Sequence, residues 1–461
     1  MRSLSLLILL AVAATPVRAE DSAFGRADPQ TTSSATPTLA PWWEMLADPV
    51  LSGLIDAALA DNPGMAAAAA RVEGARAAAR IQRTSLLPQA GLAAGAAQLA
   101  IPGGSGDSDA RLSFAGLDAR WELDLFGRNR QGVRASRADF EAAQAAQADH
   151  PLRLAAEVGT AYVGLRAAQL LETHAREMVV LAGQRRDLVR LRIERGASTT
   201  NELDQADAIH AEREAGLARI VADVAAYKDA LSVLTGQQPG TLDALLASPA
   251  PIPVPPATVA IGDPSAMLQR RPDIRAAERQ RAASNARTRA AKAARFPQIT
   301  LFGLIGIGDS DQDIGGLDGD VGLGLIPMLR WDFLDFGRAA ARVKAAKAAE
   351  TESDANYRTA VNAALQDAED ALSRYGQSRI ELAARSRQRN AAANGLERVS
   401  QRLTQGSASE MDRATARATL LESESRLAMA NAQRTMRFIA LQKALGLGWR
   451  DASRPSEAVA R

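Results

Sequence analysis

The sequence has no cysteine, three histidines and only 4% aromatic residues. The absence of cysteine excludes disulfide bonds, thiolate metal sites and a lipid attached to an N-terminal cysteine. No metalloprotease, serine-hydrolase or phosphate-loop motif is present, so we expect no enzyme activity, no cofactor and no metal site. The 55 basic side chains nearly balance the 53 acidic ones and form no patch, which gives nucleic-acid binding no support.

The chain also lacks an apolar run long enough for a transmembrane helix. Its N-terminal apolar run, from Leu4 to Ala14, is too short to span a bilayer. Because a basic residue precedes this run and a small-residue cleavage site follows it, residues 1–19 are predicted to be a secretory signal peptide; a buried N-terminal helix is the alternative. Residues 20–41, rich in Thr, Ser and Pro, are expected to form a flexible tether, and residues 449–461 a C-terminal tail.

One nine-residue motif occurs twice in the chain in similar form. It reads "RWELDLFGR" over 120–128 and "RWDFLDFGR" over 330–338, an offset of 210 residues that also relates Gly196 to Gly406. Paired Gly, Pro and Trp residues in one register predict an internal duplication. The predicted units are a first repeat at 42–248, a Pro-rich linker at 239–264 that overlaps the boundary, and a second repeat at 263–448.

Each repeat is predicted to follow one plan, with a helical leader, two strands, a long helix and a return helix. The leaders are 42–87 and 263–296, the strands are 88–100, 111–126, 297–308 and 321–336, the long helices are 128–195 and 338–405, and the return helices are 198–235 and 408–445.

The strand segments alternate between apolar and polar positions. Odd positions over 113–125 are mostly apolar, whereas the even positions from Asp118 to Asp124 are all charged, and 321–333 follows a similar pattern. An apolar outer face, a polar inner face and aromatic residues near the strand ends are typical of membrane barrel strands. The edge of a soluble sandwich is the alternative.

Four strands cannot close a barrel, and lipid does not tolerate an open sheet edge. Outer-membrane barrels use eight or more strands, so we expect several chains to contribute four strands each to one shared barrel. Trp121 and Trp331 are expected at the membrane interface. Gly127 and Gly337 are expected at the junctions where a strand leaves the membrane and a long helix begins.

The helical segments are too long for a small globular core. Each stretch from junction to reversal, Gly127 to Gly196 and Gly337 to Gly406, offers about 100 Å of helix. The predicted fold class is mainly α with a membrane β-barrel, and the two reversal glycines suit tight left-handed turns. Apolar residues at seven-residue steps predict coiled-coil packing: Leu203, Leu217, Val224 and Leu231 with His210 between them, and Val361, Ala368, Tyr375, Leu382, Leu396 and Leu403 with Arg389 as the one break.

Several motifs together resemble the TolC/OprM outer-membrane factor family, particularly its NodT-like branch. They are "WELDLFGR", the "GAS…EL…A" turn after Gly196, "LQRRPDIRAAERQ", "ARFPQITLFG" and "KALGLGW". The resemblance implies a homotrimer with a shared 12-stranded barrel in the outer membrane and long helices in the periplasm. It also implies an exit duct that works with a periplasmic adaptor protein and an inner-membrane transporter, and that contacts outer-membrane lipid.

The resemblance further implies a periplasmic gate near the two helix reversals, with Glu202 and Asp412 as its carboxylates. Rings of such carboxylates select cations. An acidic residue in a first helical turn also favours the helix dipole, so a capping role is the alternative. The sequence departs from the family nearby, because Ala408 and Thr415 replace residues that can latch the closed state.

Pro151 is a second departure from a regular long helix. A proline in a helix interior removes one hydrogen bond and clashes with the preceding turn. We therefore expect a kink or break at Pro151 in the first repeat only, because Val361 stands at the equivalent position of the second.

Three functions compete at this level. The leading one is the outer-membrane duct of a small-molecule efflux pump; the others are the duct of a type I protein secretion system and a secreted coiled-coil structural protein. Without cysteine the chain is not expected to be a lipoprotein, so its barrel alone is expected to anchor it.

Overall fold

The computed structural model describes residues 24–28, 30, 32, 33, 35, 37, 41–100, 109–310 and 318–448. The predicted signal peptide and C-terminal tail lie outside these residues. Among the described residues, no helix combines the length and the apolar character needed to cross a membrane.

Helices dominate the described chain, as the predicted fold class requires. After a 3-10 helix, Trp42–Leu46, the helices are α1 Pro49–Asp61, α2 Pro63–Thr84, α3 Arg128–Glu194, α4 Thr200–Leu234, α5 Pro264–Arg270, α6 Pro272–Ala293, α7 Arg338–Thr404 and α8 Glu410–Ala444. The strands are β1 Thr32–Ser33, β2 Gln89–Ala100, β3 Asp109–Leu123, β4 Val259–Ala260, β5 Gln298–Ser310 and β6 Asp318–Arg330.

Three helices of the first half have the same lengths as their counterparts in the second half. Helices α3 and α7 have 67 residues each, α4 and α8 have 35, and α2 and α6 have 22. Each return helix packs against the long helix before it, and α8 also packs against α3. The long helices therefore run as antiparallel pairs, an arrangement that suits the seven-residue spacing of their apolar residues.

Proline and side-chain caps start the short helices. Pro49 and Pro63 occupy the first turns of α1 and α2, where a missing N–H costs nothing. Asp48 caps α1 by accepting from two backbone amides, and Asn62 caps α2 by accepting from the amide of Gly64 at 2.7 Å.

The predicted break at Pro151 is wrong. Helix α3 continues through Pro151 without interruption. The side chains of Asp149 and Arg153 form an ion pair of 2.8 Å on either side of the proline, and the neighbouring Leu152 is buried in the packed interior. Tertiary packing therefore outweighs the cost of the one hydrogen bond that the proline removes. A bend at this point stays a prediction.

The four long strands form one antiparallel sheet in the order β2-β3-β5-β6. The pairing places Gln89 opposite Arg120 in the first half and Gln298 opposite Arg330 in the second. Strands β3 and β6 end at Leu123 and Arg330, earlier than the predicted ends at 126 and 336. The intervening residues turn the chain towards the long helices instead of continuing the ladder.

The main core lies where α1, α3, α7 and α8 meet. Trp42 is fully buried there, with its ring centroid 6.4 Å from that of Phe438. The Pro-rich linker packs against the same core: its Pro253 carbonyl accepts from Thr435 at 2.7 Å. Its Ser248 carbonyl accepts from Arg166 on α3 at 2.8 Å, so the linker contacts both halves.

The segment predicted to be a flexible tether makes ordered contacts over its described part. Phe24 is buried, and the amides of Gly25 and Arg26 donate to the carboxylate of Glu369 on α7, both at 2.8 Å. Strand β1 pairs in parallel with β4 of the linker. These described residues differ from the prediction because Glu369 supplies an anionic partner that composition alone did not reveal.

Candidate functional site: the helix reversals and the sheet–helix junctions

Each long helix ends in the same kind of reversal. Gly196 and Gly406 have φ angles of 69° and 74°, a left-handed conformation that glycine adopts at low cost. In the first reversal the amide of Ala197 donates to the carbonyl of Arg192 at 2.7 Å, and the amide of Gly196 donates to that of Ile193 at 2.8 Å. The second reversal has the same two bonds at equivalent positions, so both are Schellman motifs.

The side chain of an arginine four residues before each glycine forms a hydrogen bond across the reversal. Arg192 Nη2 donates to the carbonyl of Ala197 at 3.1 Å, and Arg402 Nη2 donates to the carbonyl of Ser407 at 2.8 Å. The sequence did not predict a role for these arginines. The internal duplication could have indicated one, because Arg192 and Arg402 are related by the same offset of 210 residues.

Glu202 and Asp412 lie in the first turns of α4 and α8, and each bonds within its own turn. Asp412 completes a capping box: its carboxylate accepts from the amide of Ser409 at 2.9 Å, and the Ser409 hydroxyl accepts from the amide of Asp412 at 3.2 Å. The amide of Glu202 donates to Thr199 Oγ1 at 3.3 Å, and its carboxylate accepts a short bond from the Ser198 hydroxyl.

These bonds stabilise the ionised form of the Asp412 carboxyl. The backbone hydrogen bond from Ser409 lowers the pKa of the Asp412 carboxyl, the Ser409 hydroxyl lowers it further, and Arg402 adds a favourable charge. These contacts therefore favour the ionised carboxylate over its protonated form. Glu202 and Asp412 occupy equivalent places, but no hydrogen bond joins them within the chain, and their role in a gate stays a prediction.

Charged side chains tie α8 to three other helices beyond the second reversal. The Arg417 guanidinium donates to both carboxylate oxygens of Glu177, at 2.6 and 2.8 Å. Arg389, the break in the predicted apolar spacing of α7, is also used in a pair. One such pair to each helix is Arg417–Glu177 to α3, Arg213–Glu422 to α4 at 2.9 Å and Arg389–Glu424 to α7 at 3.2 Å.

Trp121 and Trp331 fasten the two sheet–helix junctions. The indole N–H of Trp121 donates to the carbonyl of Leu86 at 3.1 Å, and that of Trp331 donates to the carbonyl of Arg295 at 3.2 Å. Each acceptor lies just before the strand adjacent to the tryptophan. Each indole therefore fixes the point where a helix passes into the sheet, a role beyond the interface position that the sequence predicts.

The two junctions are similar but not identical. Gly127 and Gly337 precede α3 and α7 with φ angles of 80° and 85°. Asp124 caps α3 by accepting from two first-turn amides at 3.0 and 2.8 Å. In the second junction the aspartate stands one position later, and Asp335 accepts from the amide of Gly337 at 3.0 Å. Only the second junction forces a positive φ, 51°, on the phenylalanine before the glycine, Phe336.

No group of three or more His, Asp or Glu side chains is placed to hold a metal ion within the described part of the chain. The contacts described above are capped helix reversals, ion pairs between helices and hydrogen-bonded sheet–helix junctions. The sheet also leaves large apolar side chains open on its surface, among them Leu92, Leu323 and Leu329 with 80%, 83% and 63% of their area exposed.

An exposed apolar sheet that passes directly into long paired helices defines a class of protein with a membrane-facing sheet and a helical extension. Comparison with known proteins identifies the family. The family model described as "Outer membrane efflux protein" matches residues 54–237 and 264–447, one match on each half of the chain. The chain therefore belongs to the outer membrane efflux protein family, whose members are channel proteins of the outer membrane.

Individual relatives agree with this assignment. The chain is 30% identical over 438 residues to the solvent efflux pump outer membrane protein SrpC of Pseudomonas putida, covering 92% of this chain and 90% of that protein. It is 29% identical over 415 residues to the outer membrane protein OprJ of Pseudomonas aeruginosa, covering 88% and 86%. Among solved structures, the outer-membrane channel OprN superposes with a TM-score of 0.84 at 29% identity, covering 93% and 96%.

Proposed function

We propose that three copies of this protein form the exit duct of a tripartite efflux pump, through which small molecules such as drugs leave the cell. The observation that carries the proposal is the combination of helices of 67 residues with a four-stranded sheet whose two edges are unpaired within the described part of the chain. Such a helix is about 100 Å long, enough to extend from a membrane sheet deep into a periplasm.

The open edges support a shared barrel. In lipid, each unpaired backbone group at a sheet edge costs several kcal/mol, so a stable membrane sheet must close on itself. Three copies supply 12 strands, which lies within the range that outer-membrane barrels use. The equal helix lengths and the two family matches support an internal duplication, which gives the ring six similar units.

Partners follow from the proposed role. A duct of this kind has no energy source of its own, so we infer that a periplasmic adaptor protein joins it to an inner-membrane transporter, with the helical part in the periplasm. The relative SrpC is named as the outer membrane protein of a solvent efflux pump, and OprJ is named as an outer membrane protein. Anchoring by the barrel alone stays a prediction, which rests on the absence of cysteine.

A gate at the helix reversals is the second part of the proposal. Three copies of Glu202 and Asp412 would place six carboxylates around the periplasmic opening, where they repel one another and prefer cations. The lowered pKa of the Asp412 carboxyl extends its negative charge to lower pH, which is compatible with this role. Its capping box supports the competing structural role, so the two must be separated by variants.

Deletion of this gene in its native host tests the function. We expect the deletion to raise the accumulation of a fluorescent efflux substrate, and a plasmid copy to restore the low level. Unchanged accumulation together with the loss of specific secreted proteins would instead assign the duct to protein secretion. A protein that remains soluble without detergent after removal of the signal peptide would support the coiled-coil alternative.

The gate has its own matched controls. Asp412→Ala and Glu202→Ala each remove one of the proposed gate carboxylates, from α8 and α4. Glu410→Ala removes a nearby charge, two residues before Asp412, without disturbing the capping box. If Asp412 lines the gate, Asp412→Ala lowers the cation preference of single channels in planar bilayers, whereas Glu410→Ala does not. Equal ion selectivity of both variants would leave Asp412 with the capping role alone.

A further inference from the structure

The chain leaves both outer edges of its four-stranded sheet unpaired. Strand β2 is bonded only to β3, and β6 only to β5, among the described residues. Exposed leucines lie on both edge strands, including Leu92 on β2 and Leu323 on β6. An edge of this kind is a template for another strand, and in lipid it must be covered. The question is which residues cover it, and in what register.

The pairing inside the chain gives the relation between the two halves. Gln89 faces Arg120 in the first half, and Gln298 faces Arg330 in the second. Strand β2 therefore corresponds to β5 with a shift of 209 residues, and β3 corresponds to β6 with a shift of 210. The two internal hairpins share one register, so the correspondence is a property of the fold as well as of the sequence.

The contact between the two halves supplies the missing register. Strand β3 of the first half pairs with β5 of the second, with Trp121 opposite Leu301. In a closed ring the second half of each chain must meet the first half of the next in the same way. Under this correspondence, Trp331 is equivalent to Trp121, and Leu92 is equivalent to Leu301.

We propose that a second copy of this chain covers the β6 edge with its own β2 strand, with Trp331 opposite Leu92 of that copy. The same register places Leu329 opposite Ala94, because Ala119 faces Gly303 inside the chain. This inference rests on the proposed oligomeric duct and adds the residues that join its subunits.

The early end of β6 supports the proposal. Strand β3 extends to Leu123, which pairs with Ile299. Strand β6 stops at Arg330, three residues before the equivalent position, Phe333. One difference between the two places is that β5 lies beside the end of β3, whereas no strand among the described residues lies beside the end of β6 on the equivalent side. A β2 strand from a second copy would extend β6 to Phe333, opposite Ala90.

The direction of the side chains sets a further constraint. Successive residues of a strand point to opposite faces, so a slip by one residue would move every outward side chain inward. Inside the chain, Trp121 and Leu117 share a face with Leu92, which faces Leu117 across the first hairpin. The proposed register keeps Trp331 and Leu329 on that face together with Leu92 and Ala94 of the second copy, whereas a one-residue slip does not.

Aromatic residues below the sheet repeat the pattern. The rings of Phe126 and Phe296 stack at 4.7 Å where the first half meets the second. Their counterparts at the chain's outer edges are Phe336, 93% exposed, and Leu87, 58% exposed. We expect Phe336 to cover Leu87 of the second copy. The positive φ of Phe336 shows that the junctions are not identical, so the proposal rests on strand register and not on the direction of this ring.

Disulfide cross-linking tests the register, since the natural chain has no cysteine to interfere. The test variant is Leu329→Cys with Ala94→Cys in the full chain, oxidised in membranes. The two edges of one sheet lie about 14 Å apart, too far for a bond within one chain, because adjacent strands are about 4.8 Å apart and a disulfide needs Cα atoms within about 7 Å. Any bond between these cysteines therefore joins two copies.

The matched control is Leu329→Cys with Ala90→Cys, which moves one cysteine by four residues, about 13 Å, on the same face. We expect the test variant to form covalent trimers that a reducing agent dissolves, and the control to form none. Trp331→Cys with Leu92→Cys repeats the test if the first variant does not reach the membrane.

The outcomes separate this register from the duct itself. A protein that has the mass of a trimer in detergent but cross-links only in the control, or in neither pair, would overturn the register and leave the proposed function intact. A protein that is monomeric in membranes and detergent would overturn both.

Discussion

Arg166 brings a positive charge into the core and connects three parts of the chain. It is 3% exposed, its Nη1 donates to Gln169 at 2.9 Å and to the Ser248 carbonyl of the linker at 2.8 Å, and it lies 4.8 Å from the Tyr162 ring. Tyr162 in turn donates to Asp48, the cap of α1, at 2.8 Å. Burial raises the pKa of Tyr162 to about 12, because the ionised phenolate would lose its solvation.

Replacing Arg166 should therefore weaken the whole core. We expect Arg166→Met to lower the free energy of unfolding by about 2–4 kcal/mol, because it leaves the Ser248 carbonyl and the Gln169 side chain buried without their partner. Thermal unfolding followed by far-ultraviolet circular dichroism in detergent measures the change. The control is Arg176→Ala, which removes a surface pair with Glu172 and should change stability little. Equal effects of both variants would contradict the role given to Arg166.

The Asp412 cap predicts a pH dependence at the start of α8. Because folding lowers the pKa of Asp412, its contribution is fully present above the unfolded carboxyl pKa of about 4 and is lost as the pH falls through the lower folded value. Amide hydrogen exchange of a peptide from this turn, corrected for intrinsic rates, should show protection at pH 5 that is lost towards pH 3. Asp412→Ala should be unprotected at both pH values, and Glu410→Ala should behave as the natural chain. A pH-independent protection in the natural chain would rule out the carboxylate as its source.

At the scale of the elements, regular patterns could be predicted and local partners could not. Alternation located the four strands, and the spacing of Gly196 and Gly406 located the reversals, because each depends on residues close in sequence. The strands end earlier than predicted, at Leu123 and Arg330, and beyond them the carboxylates of Asp124 and Asp335 accept hydrogen bonds from backbone amides at the start of the long helices. Neither the docking of the N-terminal segment on Glu369 nor the links on α8 could be predicted, since they join residues far apart in the chain.

At Pro151, tertiary packing outweighs the unfavourable effect of a proline inside a helix. We expect Pro151→Ala to raise the unfolding midpoint, with a gain of about 1–3 kcal/mol, because the new N–H can donate to the carbonyl of Gln147 and the clash of the ring disappears. Thermal unfolding at a fixed scan rate measures it. The equivalent variant Val361→Ala, in the regular turn of α7, should not stabilise. A loss of stability in Pro151→Ala would show that the proline fits α3 without strain.

The links on α8 predict a coupling between helices. The Arg417–Glu177 pair is bidentate but 35% and 40% exposed, so solvent reduces its contribution to about 0.5–1 kcal/mol. A double-mutant cycle with Arg417→Ala and Glu177→Ala should give a coupling energy of this size. The Arg176–Glu172 pair, which lies within α3 alone, supplies the control for a bond that joins no helices. Strictly additive effects of Arg417→Ala and Glu177→Ala would show that this pair does not hold α8 to α3.

At the scale of the whole molecule, the chain is complete in its helices but incomplete in its sheet. The helix pairs close their reversals with their own caps and charged links, whereas within the described residues β2 pairs only with β3 and β6 only with β5. The sequence predicts this incompleteness from the count of four strands. The register of the joint between copies could not be predicted from the sequence alone, because it requires the observed pairing of β3 with β5.

The most direct measurement is an electron cryo-microscopy reconstruction of the full chain purified in detergent. It should show three copies around one axis, with 12 strands closed into a single barrel that continues into a tube of the long helices. Single chains with open four-stranded sheets, or a closed barrel built from one chain with a partner of another kind, would contradict the shared duct.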